Sequence, residues 1–144
     1  ASRQERGCKE SHGRTGKNQA SGGIGMPIEI SDAWADDGVT RRNKFRKGVD
    51  RLHLVCSFYI SKDLADSSAT VNFDFTHIDW RNNHIWHDIY SPRFNPGDEG
   101  WWYVWIDHGI CGWSPAWNWL QVIADVDGLD QIAISPERFL QIVP

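Results

Sequence analysis

The densest run of chemistry-bearing side chains is His77-Ile78-Asp79-Trp80-Arg81-Asn82-Asn83-His84-Ile85-Trp86-His87-Asp88. Imidazole and carboxylate suit zinc or copper, so His77, Asp79, His84 and His87 are the candidate metal ligands. A hairpin turning at Arg81-Asn82-Asn83 brings His77 or Asp79 opposite His84. Within one strand, however, His84 and His87 are three residues apart and point to opposite faces, which is poor ligand geometry. The leading expectation is a polar hairpin edge with hydrogen-bonded imidazoles and no metal. A second acidic group, Asp125, Asp127 and Asp130, surrounds Gly128. Its glycine stands fourth rather than sixth and no glutamate stands twelfth, so it departs from a calcium loop. A charged hairpin face is expected there, with bound Ca²⁺ as the alternative.

No catalytic residue is assigned. The chain has no Gly-x-Ser-x-Gly elbow, and no cysteine stands out beside a histidine. Gly22-Gly23-Ile24-Gly25 precedes a strand rather than a helix and cannot act as a phosphate loop. Binding chemistry is better supplied. There are nine tryptophans, and alternation places Trp101, Tyr103 and Trp105 on one face of a strand, with Trp102, Val104 and Ile106 on the other. Rows of rings stack on sugars or form the centre of a protein interface. Trp113, Trp117 and Trp119, in or beside the loop 108–119, are further candidates to meet a partner. The basic cluster holding Arg41 and Arg42 is a candidate contact for an anionic glycan or for the acidic body of another copy.

The elements that must position these groups are strands. Leu52, Leu54, Cys56, Phe58 and Ile60 alternate with polar neighbours, and Val71, Phe73 and Phe75 alternate with Asn72, Asp74 and Thr76. Strands are also expected over 26–31, 84–90, 101–107, 117–126 and 138–143, with 63–68 a polar turn. Asp127-Gly128 between two alternating runs predicts a two-residue type I′ turn, with Val126 opposite Leu129 and Asp125 opposite Asp130. Turn signals every eight to twelve residues suit an all-β antiparallel sandwich of the immunoglobulin type over 26–144.

Residues 1–25 form a polar N-terminal arm with hardly an apolar residue, which alone could not offset its ordering entropy. Residues 1–50 hold ten Lys/Arg against seven Asp/Glu, and residues 51–144 hold five against twelve, for a net charge of −4 overall. An acidic body argues against nucleic acid and permits arm-to-body contact between copies. Cys56 is expected as a buried hydrophobe. Cys8 and Cys111 are disulfide candidates, with Cys56–Cys111 the rival pairing. No apolar run is long enough to span a bilayer and no signal peptide is visible, while Ala1 at the start fits a cleaved signal or a removed Met. A secreted, periplasmic or cell-surface location is expected.

Several features in 27–144 stand in a familiar order: the Phe45-Arg46-Lys47-Gly48-Val49-Asp50-Arg51 lead-in to an apolar strand, an aromatic-alternating strand, the Pro96-Gly97 loop, Trp119-x-x-Val122 before Asp127-Gly128, and a closing Phe139 to Val143. This order resembles bacterial immunoglobulin-like domains of secreted and cell-surface proteins. The resemblance implies an extracellular scaffold or adhesion role and carries over no catalytic residue. The expected function is a non-enzymatic structural or adhesive subunit whose arm contacts neighbouring subunits. The alternatives are a carbohydrate-binding module with Trp/Tyr platforms and a small metal-dependent enzyme.

Overall fold

The computed structural model describes residues 9–12, 27–129 and 132–144, and it is all-β, with 4% helix and 62% strand. The strands are β1 (Lys9–His12), β2 (Ile28–Asp36), β3 (Lys44–Arg46), β4 (Arg51–Ile60), β5 (Val71–Asp79), β6 (His84–Tyr90), β7 (Gly100–Ile110), β8 (Ala116–Val126), β9 (Ile132–Ile134) and β10 (Arg138–Val143). Sheet A runs β1-β7-β4-β2, and sheet B runs β3-β10-β8-β5-β6 with β9 added on β8. All pairings are antiparallel except β3 with β10.

The two-residue period decides which side chains leave water. Leu52, Leu54, Cys56, Phe58 and Ile60 from sheet A share one buried cluster with Val71, Phe73, Phe75, Leu120, Val122 and Ala124 from sheet B. The layers meet directly where the Phe58 and Phe73 rings lie 4.6 Å apart, and Phe94 closes on Phe58 edge-on at 5.7 Å. Fully burying side chains of this size stabilises by about 1.5–3 kcal/mol each. Cys56 sits in this cluster as a small hydrophobe, and burial pushes its thiol well up.

Four sequence expectations need correction. The polar turn at 63–68 contains a one-turn helix, α1 (Lys62–Asp66), because the Ser61 hydroxyl caps the Leu64 N–H and Leu64 and Ala65 reach the core. No strand is expected at 44–46, yet β3 forms there and threads Phe45 into the core between Lys44 and Arg46. The Asp127-Gly128 turn is not type I′: Gly128 has φ +85° while Asp127 has none of the positive φ that type requires. The connection is also longer than two residues, so Asp125 faces Ile132 rather than Asp130, which lies outside the described residues. Finally, Cys56 and Cys111 are both buried free thiols rather than a pair, and Cys8 lies outside the described residues.

Within the 1–25 arm, Lys9–His12 lies antiparallel on β7 of the same chain, Lys9 opposite Trp105 and His12 opposite Trp102. The rest of the arm is outside the described residues. Among the described residues, no helix is long and apolar enough to cross a membrane.

Candidate functional sites

The outward face of sheet A is built in rows set by register. Trp34, Val55 and Trp105 form one row, Asp32, Ser57 and Tyr103 the next, and Glu29, Tyr59 and Trp101 a third. A fourth row, Asp36, His53 and Asp107, closes one end, with His53 Nε2 3.1 Å from Asp107 Oδ1. The expected face of Trp101, Tyr103 and Trp105 is thus outward, and the Trp102, Val104 and Ile106 face turns in. Trp34 and Tyr59 were not singled out in the sequence, yet they extend the aromatic face. Trp34 meets Tyr103 edge-on at 6.2 Å, and Tyr59 meets Trp101 at 5.4 Å.

At the β2 edge this face runs into a groove of about 480 Å³ whose lining includes Trp34, Arg41, Arg42, Asn43, Arg138 and Phe139. The Arg41 guanidinium lies 4.7 Å over the Trp34 ring. Arg41 and Arg138 share one carboxylate, donating to Asp32 at 2.7 Å and 2.6 Å. Burial pushes the Asp32 carboxyl up, but these hydrogen bonds outweigh it and hold the group below its ordinary range. Two guanidiniums against one carboxylate leave a net positive corner beside the rings. Arg42, by contrast, is matched by Asp37 and Asp50 at 3.3 Å each. Sequence reading found Arg41 and Arg42; it missed Arg138 and Asp32, which only the folded edge brings alongside.

The other tryptophan candidates separate. Trp117 and Trp119 face outward on sheet B, where Ile85, Ile78, Trp119 and Phe139 form one row across β6, β5, β8 and β10. Trp80 packs on Phe139 at 5.5 Å beside it. Trp113 instead turns into a cleft at one end of the two sheets, stacked 4.3 Å from the His77 ring at an interplanar angle of 11°.

That cleft holds part of the histidine constellation. Asp88 is fully buried, and its Oδ2 accepts from His108 Nε2 at 2.9 Å and from His77 Nε2 at 3.2 Å. A carboxylate only accepts, so both imidazoles present an Nε2–H to it. Burial raises the Asp88 carboxyl, but the two imidazole hydrogen bonds hold it far below the usual range. His77 is also shifted down, but by the opposite cause: burial lowers it more than Asp88 raises it, which keeps the ring neutral. Asp79 lines the same cleft and accepts from the Arg81 and Asn82 backbone N–H groups, fixing the β5–β6 turn.

The four-residue metal set of the sequence reading is not assembled. His84 is exposed opposite Asp79 and leans on Trp86, while His87 points outward with Nδ1 2.9 Å from Asp74 Oδ2. Among the described residues, no three His, Cys, Asp or Glu side chains converge as metal ligands. Near the hairpin, the Asn72 amide donates to Asp125 at 2.9 Å and to Asp127 at 2.8 Å, bridging the carboxylates where the alternative reading placed calcium. Asp88 and His108 are the functional groups that the candidate set lacked. A signal was present: alternation from Phe73 and Phe75 runs on to His77 and Asp79, and from Val104 and Ile106 to His108. No protein-family model matches the chain, and no curated protein matches it.

Proposed function

We propose that the domain is a non-catalytic recognition module, an immunoglobulin-like β-sandwich of an extracellular or surface assembly, and that it takes an acidic glycan along the outer face of sheet A. One observation carries this reading: the unbroken path Tyr103–Trp34–Arg41–Asp32–Arg138, from an aromatic face into an arginine-lined groove. Pyranose rings stack on aromatic faces, while hydroxyls meet Asp32, Ser57 and Glu29. A sugar carboxylate or sulfate meets the net positive Arg41/Arg138 corner. Titration with uronic-acid-containing oligosaccharides should give a saturable change in tryptophan fluorescence that weakens with salt. Silence across both acidic and neutral oligosaccharides rejects the proposal.

A second reading, the subunit role, draws on the outer face of sheet B. Trp80, Ile85, Trp117 and Phe139 are each about half exposed there, more apolar surface than scattered single residues would leave. The arm supplies a strand of the kind that edge pairing exchanges between chains. Deleting residues 1–25 should leave a folded monomer that no longer assembles, and unchanged particle mass in light scattering removes this reading.

A further inference from the structure

The cleft at the His77 end is separate from the glycan face, and it has an imbalance the chain does not correct. Asp88 is fully buried, yet no Lys or Arg among the described residues pairs with it; its only ionic neighbours are His77 and His108. A buried carboxylate without a counter-charge is costly. In addition, Asp88 Oδ1 and His77 Nδ1 are both buried without a hydrogen-bond partner. With the His77 Nε2–H committed to Asp88, its Nδ1 is a lone pair, so both orphaned atoms are acceptors. The cleft measures about 240 Å³ and is lined by these residues together with Asp79, Trp86, Trp113 and His108.

We propose that this cleft is a binding site for a small organic cation, an alkylammonium head group. An ammonium carries three N–H donors and no acceptor, the complement of lining residues whose two unpartnered atoms, Asp88 Oδ1 and His77 Nδ1, are both acceptors. Its positive charge answers the Asp79 and Asp88 carboxylates, and its alkyl stem lies against the indoles of Trp86 and Trp113, where a ring face also attracts a cation. Water satisfies the acceptors only in part, because it brings lone pairs of its own toward two carboxylates. A transition metal fits less well: the His77 and His108 ring centroids are 6.4 Å apart at 81°, too far for both rings to ligate one ion without rearrangement.

The test is a titration of isotope-labelled protein with n-propylammonium chloride, read by the imidazole and indole nitrogen resonances, with n-propanol and sodium chloride as parallel arms. Saturable shifts at His77, His108 and Trp113, with a dissociation constant of about a millimolar, are expected for so small a ligand. The alcohol and the salt should leave these resonances in place. Asp88→Asn should weaken binding by at least about tenfold. Asp79→Asn, at the cleft wall beside the β5–β6 turn, should weaken it several-fold and serves as the second variant should Asp88→Asn fail to fold. A lack of saturable shift up to about 100 mM ammonium, or an equal response to the alcohol, overturns the proposal and leaves a hydrated pocket. So does a spectrum of the ligand-free protein in which His108 is doubly protonated at neutral pH, since Asp88 would then have its counter-ion within the chain.

Discussion

The inner face of β5 borders two different interiors. Val71, Phe73 and Phe75 enter an apolar space shared with Phe58 and Phe94, whereas His77 and Asp79, on the same face of the same strand, enter a polar one with Asp88, His108 and Trp113. The crossover falls within a single cross-strand pair, Phe75 opposite Asp88. Alternation therefore decides which side chains are withdrawn from water, but not what medium receives them. In the apolar half each side chain stabilises in proportion to its area, and the loss of one is a local cavity. In the polar half stability depends on matched donors and acceptors, so removing one group leaves others stranded.

Four changes break or sharpen this contrast. The largest effect is expected in the apolar half: Phe73→Ala should cost about 3–5 kcal/mol in urea unfolding, as a buried ring is replaced by a cavity. Asp88→Ala should cost about 3 kcal/mol by the same measurement, because two imidazole N–H groups lose their acceptor. If a variant carrying leucine at both His77 and Asp88 proved less stable than Asp88→Ala alone, the stranded-group account would be wrong.

A smaller effect concerns pH. His77 has its pKa lowered in the folded chain, so below about 6.5 the unfolded chain binds a proton that the native protein refuses. Asp88 is also depressed, and its contribution, full above the ordinary carboxylate range, fades below about pH 4. Both groups act in the same direction: melting temperature should fall on acidification from pH 7. His77→Gln should flatten the segment between pH 7 and pH 5, and an unaltered profile in that variant contradicts the assignment.

The smallest change in stability is expected outside. Tyr103, more than a third exposed, should cost less than about 1 kcal/mol on substitution by alanine, yet lower affinity for an acidic oligosaccharide about tenfold in calorimetry. Equal losses of stability and affinity would mark the ring as structural.

Much of the strand placement along the chain was legible because period-two alternation is local: β4 and β5 follow from their own residues. Legibility failed where one residue shifted the parity. β2 has a register irregularity between Ile30 and Asp32. Simple alternation from Ile28 and Ile30 would turn Trp34 inward; the extra residue sends Trp34 out to Arg41 and turns Ala33 and Ala35 into the core. The helical turn at Lys62–Asp66 escaped for a related reason, since its cap and two buried residues are too few to form a period.

The residues alone determined that this chain makes sheets with one alternate set of side chains buried, because that pattern is written in each strand separately. Only the tertiary structure decided that Asp88 collects two imidazoles from strands in different sheets, and that Arg41 and Arg138, nearly a hundred residues apart, share Asp32. Such meetings depend on strand register and on which edges approach, quantities set by the packing of the whole core rather than by any one segment.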